Sequence, residues 1–272
     1  MTTRCGVAGS PIAHSLSPVL HRAAYAHLGL AWEYERHEVG EADLAAFVAG
    51  LDGTWRGLSL TMPLKHEAVR LATDVSELAR RVGAANTLVL GPGRAYADNT
   101  DVPGLAAALR ERGVESARHA TVVGGGATAA SAVAALAGLT DRVEVVVRDP
   151  ARAAGVLRVA DAAGVACTLL PWADAGSALA APLVVATTPK GAADALAAVV
   201  PSAPGVLFDV LYDPWPTPLA AAWAAAGGTV LGGLDLLVHQ AVLQVELMAG
   251  AAVPVDVLRQ ALSSGRSVGG AA

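Results

Sequence analysis

Three groups of residues in this chain have the types and spacing to do chemistry. The first is GVAGSPIAHSLSP, residues 6–18, which closes an apolar run and sets two hydroxyls, Ser15 and Ser17, one residue apart between Gly/Pro-rich turns. Ser17 before Pro18 reads as an ordinary helix start, because serine caps and proline suits the first helical position. A hydroxyl pair on a loop at a strand end also suits a binding loop, and the local sequence leaves both readings open.

The second group is spread over LSLTMPLKHEA (58–68), VGAANT (82–87) and ADNTDVPG (97–104). These place Lys65 after a strand and turn, Asn86 at a strand start, and Asn99, Thr100 and Asp101 at the start of a helix. Each has a plain explanation: a solvent-facing lysine, a turn asparagine, an acid in a first helical turn. Together they suit carbonyl–alcohol redox chemistry. Hydride joins or leaves the carbon, and a group must move a proton at the oxygen. Lys65 can donate that proton or stabilise the oxyanion, with Asp101 holding it in place. His14, His21 and His66 lie near these motifs, but none has a partner at metal-ligand spacing.

The third group is the glycine turn in HATVVGGGATAASAVAALAG (119–138). An apolar strand ends at Val123, and Gly124, Gly126 and Ala129 satisfy G-x-G-x-x-A before an alanine-rich helix. Such a turn lets a pyrophosphate approach the backbone and meet the free N–H groups of the helix. The candidate cofactor loop is therefore Gly124, Gly125, Gly126 and Ala127. In the next strand, VEVVVRDPARA (143–153), Val147 is followed by Arg148, with Arg152 one turn later. Two guanidiniums can clasp a 2′-phosphate, which predicts NADP. Asp149 points mildly toward NAD, and a solvated helix start is the plain alternative.

Two kinds of element must position these groups. In the first hundred residues, strands are predicted over 4–8, 32–38, 55–61, 87–90 and 94–97, with helices over 18–28, 41–49, 64–72 and 75–82. Further on, apolar strands are predicted over 120–123, 143–147, 166–169, 183–186, 206–209 and 229–231. Alanine-rich helices separate them, the pattern of a parallel sheet covered on both faces. Two helices, 234–248 and 255–262, follow, and the tail SSGRSVGGAA is predicted to be disordered. The fold class is α/β. A substrate and catalytic domain over 1–101 precedes a doubly wound Rossmann domain over 102–233, and helices in 234–272 return to the first domain.

Composition sets the outer limits. A chain of 272 residues, 54% hydrophobic and 16% charged, has ample core and little prospect of disorder. A net charge of −5 and 4% aromatic residues argue against nucleic-acid binding. Mean hydropathy is +0.47, but much of it is alanine, and no run reaches the ~18 strongly apolar residues of a membrane span. MTTRCGVAGS lacks the apolar centre of a signal peptide, and Cys5 and Cys167 have no metal-like spacing. The expected setting is a reducing cytoplasm.

The motifs GSPIAHSLSPVLHRAAY (9–25), SLTMPLK (59–65), GAANT (83–87), NTDVPG (99–104), YDPWPTPL (212–219) and GLDLLVHQAVLQVELMAG (233–250) occur in one order and spacing. In these the chain resembles the shikimate dehydrogenases along nearly its whole length. The resemblance implies reversible, NADP-linked reduction of 3-dehydroshikimate to shikimate, in the pathway to aromatic amino acids. It implies Lys65 and Asp101 as the catalytic pair, and Ser15 and Ser17 as donors to the substrate carboxylate. Thr61, Asn86 and Gln240 fall on the polyol contacts, with Tyr212 nearby, in a cleft between the domains. It adds Thr187, Thr188 and Gly233 to the cofactor residues, and a monomer or homodimer as the assembly.

The chain departs from the family pattern in four places. Ser59 stands where the family commonly has Asn, and Val147, Arg148 and Asp149 replace its usual NRT. The glycine turn reads GGGATA for GAGGAA, and Ala186 replaces a frequent Asn. A quinate/shikimate dehydrogenase with relaxed cofactor use is the nearest alternative, although Ser17 and Val147 favour shikimate with NADP. A non-catalytic shikimate-binding regulator should lack Lys65 or Asp101. A generic Rossmann module would leave the motifs outside 119–232 unexplained.

Overall fold

The computed structural model describes residues 2–268, without the side chains of Arg152 and 265–268. The chain divides into two compact units, one of Met1–Thr100 with Leu237–Ala272, the other of Asp101–Leu236.

In chain order the first unit contains β1 (Arg4–Gly9), α1 (Ser17–His27), β2 (Glu33–Glu38), α2 (Leu44–Ala49), β3 (Trp55–Leu60), α3 (Lys65–Leu71), β4 (Asp74–Val75), α4 (Glu77–Val82), β5 (Thr87–Gly91) and β6 (Arg94–Asp98). Its mixed sheet has the order β2-β1-β3-β5-β6-β4. β1 pairs in parallel with β2 and β3, whereas β5 runs antiparallel to β3 and β6. One core lies around Leu44, Leu58, Leu60, Leu64 and Leu88.

Predicted and observed elements differ at some ends. The helix predicted from Val75 begins at Glu77, because Ser76 caps it by accepting from the Ala79 N–H, and Asp74–Val75 pairs with β6 instead. Ser17 is not a cap. It is the first residue of α1, and Leu16 stands at the cap position with no side-chain bond to the helix.

The second unit contains α5 (Asp101–Glu111), β7 (Ala120–Val123), α6 (Ala127–Leu136), β8 (Arg142–Val147), α7 (Ala154–Ala163), β9 (Ala166–Pro171), α8 (Ala175–Ala178), β10 (Leu183–Ala186), β11 (Val206–Asp209), α9 (Pro218–Ala225) and β12 (Thr229–Leu231). Its parallel sheet has the order β12-β11-β10-β7-β8-β9. The order reverses at β7, so the loop after β7 lies at the switch point where open α/β sheets bind ligands. The apolar runs are buried as a parallel sheet requires, with Val122, Val123, Val145, Val146, Val184 and Val185 all fully enclosed.

α10 (Gly233–Ala249) and α11 (Val255–Val268) follow, and α11 packs on α1. The predicted disorder of 263–272 is corrected in part: α11 continues through Val268, and 269–272 lie outside the described residues.

Candidate active site

In the first unit, segments far apart in sequence meet in one buried polar network. Because α1 starts without a side-chain cap, the Ser17 hydroxyl is not used on its own helix; it lies within hydrogen-bond reach of Tyr34. The Tyr34 hydroxyl donates to Ser59 Oγ at 2.6 Å, and Ser59 donates to Gln244 Oε1 at 2.6 Å. The Gln244 amide donates to the Asn86 carbonyl at 2.9 Å and to Thr87 Oγ1 at 3.0 Å. Thr87 donates to Asn86 Oδ1 at 3.0 Å, which also accepts from the Thr100 N–H at 2.8 Å. The Asn86 amide donates to Thr100 Oγ1 at 2.9 Å and Gln240 Oε1 at 3.3 Å. Every member is buried, so each bond replaces water that the group has lost.

His21 completes the network from α1. Its Nε2 lies 3.3 Å from Gln244 Oε1, an acceptor, so this nitrogen carries the proton. Its ring stacks on Tyr34 with centroids 4.1 Å apart. Burial pushes its pKa down to about 4, against the weaker raising effect of Gln244, so the ring is neutral near pH 7. The same burial drives the phenols of Tyr34 and Tyr25 far above their usual range.

Ser15 is half-buried, and its hydroxyl accepts from the Ser17 N–H at 3.3 Å, which joins the two serines in one turn. Thr61 follows β3 directly; its N–H donates to the Ala8 carbonyl at 3.0 Å and its carbonyl accepts from Leu64 at 2.9 Å. That turn delivers Lys65, half-buried, as the first residue of α3, and the Lys65 carbonyl accepts from the Ala85 N–H at 2.9 Å. The Asn99 amide donates to the Ala84 carbonyl at 2.9 Å, tying the NTD segment to the GAAN segment. Asp101, buried, opens α5 and so belongs to the second unit.

In the second unit the glycine turn has the shape a dinucleotide needs. Gly124 has φ +123°, and a Cβ there would meet Thr187 Oγ1 at 2.5 Å. A Cβ on Gly125 would meet Val147 Cγ1 at 3.0 Å, so the turn packs closely on β8. Gly126 precedes α6 without a side-chain cap and has open space where a side chain would be, so the first N–H groups of the helix from Ala127 are not capped by the residue before it. A pyrophosphate fits this turn.

Arg148 is exposed at the end of β8, with its guanidinium over the Trp172 ring at 5.2 Å. Asp149 is engaged elsewhere, since its carboxylate accepts from the Ala151 N–H at 3.0 Å and caps the short turn Pro150–Ala153. The end of β8 thus presents a cation, which suits a 2′-phosphate. The Arg152 side chain lies outside the described residues.

Thr187 donates through its N–H and its hydroxyl to the Val123 carbonyl, at 2.9 and 3.0 Å, joining the ends of β10 and β7; Thr188 beside it is buried. Gly233 donates to the Leu211 carbonyl at 2.9 Å, and a Cβ there would clash with the Val210 carbonyl. Tyr212 is half-buried in the loop after β11. That loop is held by Asp209, which accepts from Leu211 N–H at 3.1 Å and Thr217 Oγ1 at 2.7 Å. Burial raises the Asp209 pKa against those two bonds.

Sequence reasoning passed over Gln244, Tyr34 and Asp209, and weighed His21 only as a metal ligand. Gln244 left a signal: two glutamines four apart on the apolar α10 share a helix face. Tyr34 left none, since it stands as one more aromatic residue in the predicted strand 32–38. Among the described residues, no group of three or more His, Cys, Asp or Glu could hold a metal ion. No described helix is long and apolar enough to cross a membrane.

Comparison with known proteins bears on the same segments. Residues 7–88 match the shikimate dehydrogenase substrate binding domain, and residues 233–262 match the shikimate 5'-dehydrogenase C-terminal domain. The chain is 40% identical to the shikimate dehydrogenase (NADP(+)) of Methylobacterium radiotolerans, over 92% of each chain. Among solved structures it resembles the shikimate dehydrogenase of Mycobacterium tuberculosis, with TM-score 0.89, 44% identity and coverage of 96% of this chain and 99% of that one. It also resembles the shikimate 5-dehydrogenase of Thermus thermophilus solved in complex with NADP(H) and shikimate, with TM-score 0.84, 32% identity and coverage of 97% and 99%.

Proposed function

The chain belongs to the shikimate dehydrogenase family, and on that premise we propose that it catalyses the reversible NADP-linked reduction of 3-dehydroshikimate to shikimate. The observation that carries this reading is the near full-length match to such enzymes, over 92% of each chain for the Methylobacterium radiotolerans relative. Bound NADPH supplies the hydride. Lys65 holds a proton at the substrate's carbonyl oxygen and offsets the negative charge that grows there. Asp101 is the second member of the catalytic pair.

Ser15 and Ser17 donate to the substrate carboxylate, which neutral hydroxyls can hold without a buried cation. Thr61, Asn86 and Gln240 read the ring hydroxyls, and Tyr212 is assigned to the substrate as well. The bonds that Asn86 makes with Thr100, Thr87 and Gln240 support this role, because they hold it in one rotamer before substrate arrives. For the cofactor, Gly124 to Ala127 cradle the pyrophosphate, Arg148 and Arg152 hold the 2′-phosphate, and Thr187, Thr188 and Gly233 line the nicotinamide end. Relaxed cofactor use would rest on Asp149, and the Ala151 N–H already occupies an oxygen of that carboxylate. The free thiols of Cys5 and Cys167 suit a cytoplasmic setting.

The test is absorbance at the reduced-nicotinamide band, with shikimate or quinate and NADP or NAD in all combinations. Rapid reduction with shikimate and NADP is expected. Equal rates with quinate or NAD would replace the substrate or cofactor assignment, and no reduction in any combination would overturn the enzyme reading.

A further inference from the structure

The loop that carries the serine pair is strapped to the sheet by two charged side chains of β2. Glu38 holds its beginning, accepting from Ser10 Oγ at 2.5 Å and from the Ile12 N–H at 3.0 Å. Arg36, two residues earlier and so on the same face of the strand, holds its end. Arg36 directs both Nε and Nη2 to one acceptor, the Ser15 carbonyl, at 2.8 and 2.6 Å. β2 is itself fixed from α1, where Arg22 donates twice to the Tyr34 carbonyl at 3.0 and 2.7 Å. The local strand therefore does not need Arg36 for its own position.

The arrangement at Arg36 is a weak stability device. Arg36 is exposed, and an exposed bond that fixes a long side chain contributes little to folding. Among the described residues no carboxylate pairs with this guanidinium, although Arg is suited to bidentate pairing. Its charge instead stands against the main chain of Ser15, within a residue's breadth of the hydroxyl. Glu38, on the same strap, places a negative charge by the same loop and would oppose an anion bound there.

We propose that Arg36 is a positioning residue for the substrate carboxylate. It acts through the Ser15 carbonyl to hold the Ser15 and Ser17 hydroxyls in one geometry, and its charge offsets Glu38 beside the bound anion. This rests on the functional reading above, which makes the serines donors to a carboxylate.

The experiment compares Arg36→Ala and Arg36→Lys with wild type, measuring KM and kcat for shikimate and for shikimate methyl ester, with KM for NADP and the melting temperature alongside. Arg36→Ala is expected to raise the shikimate KM about tenfold, the loss of one charge-assisted contact, and to change kcat by less than about twofold. The NADP KM and the melting temperature stay unchanged, and Arg36→Lys, which keeps the charge with a single donor group, recovers part of the loss. The methyl ester, lacking the charge, shows a much smaller ratio of variant to wild type. A shikimate KM within about twofold of wild type in Arg36→Ala, or an equal rise for acid and ester, would overturn the proposal. Wild-type turnover of shikimate reads the functional proposal separately: without it that proposal fails first, and with it the variant ratio alone decides the role of Arg36.

Discussion

Replacing Gln244 by leucine tests whether the buried network supports the first unit. Gln244 is 1% exposed, and four groups bond to it: Ser59 Oγ, His21 Nε2, the Asn86 carbonyl and Thr87 Oγ1. Leucine fills most of the volume and offers none of those bonds. His21 Nε2 then has no acceptor, at a cost of about 1–3 kcal/mol for an unmet buried donor. Thr87 still donates to Asn86, and the Asn86 carbonyl still accepts from the Leu60 N–H at 2.7 Å, whereas Ser59 keeps Tyr34 as its donor but loses the acceptor of its own hydroxyl. Thr87 and the Asn86 carbonyl therefore lose only about 0.5–1.5 kcal/mol each, and Ser59 about 1–3 kcal/mol. Burying the leucine returns roughly 1.5–3 kcal/mol. The net loss is about 2–4 kcal/mol, and at about 2–4 °C per kcal/mol the melting temperature falls by roughly 5–15 °C.

The assay is thermal unfolding of wild type and Gln244→Leu at pH 7.5, followed by the shikimate KM below both transitions. The KM should rise, because the Asn86 carbonyl has lost the amide that fixes it. A melting temperature within about 1 °C of wild type, with an unchanged KM, would refute the reasoning.

Three further outcomes follow from named groups. His21 is neutral in the fold and titrates there only near pH 4, whereas the unfolded chain takes up its proton near 6.5. The unfolded state thus binds more protons between those values, so stability falls as pH drops through that window, by up to about 3 kcal/mol. Urea midpoints at pH 4.5 and 7.5 should differ strongly in wild type and much less in His21→Gln; equal differences would remove His21 as the cause. Lys65→Ala should fold as wild type by circular dichroism and lose turnover by about 100-fold or more, the scale of a lost proton donor; near wild-type kcat would end that role. Arg148→Ala should raise the KM for NADP more than that for NAD, and an equal rise in both would withdraw the 2′-phosphate assignment.

Much of this protein was legible in the sequence, for local reasons. The parallel sheet announced itself because strands covered on both faces are apolar along their length, as 183–186 is. The glycine turn was legible because only glycine takes the φ of +123° found at Gly124. Lys65, Asn86 and Asp101 stood out by residue type and place, at strand ends and helix starts. Element ends were less legible where a single bond decided them, as when Ser76 rather than Val75 set the start of α4.

What only the tertiary structure decided is which groups those residues touch. Ser59 reads in sequence as a departure from a family pattern, but its hydroxyl links Tyr34 to Gln244, 185 positions away. Asp149 reads as an argument against NADP until its carboxylate is found capping the turn that follows. Ser17 reads as a helix cap, yet α1 already includes it, which leaves its hydroxyl beside Tyr34. The physical reason is common to all of these. Backbone geometry and burial are set by neighbours a few residues apart, so composition and period record them. A hydroxyl or carboxylate can bond to any donor or acceptor that folding brings within about 3 Å, and that choice is made only when distant segments pack together.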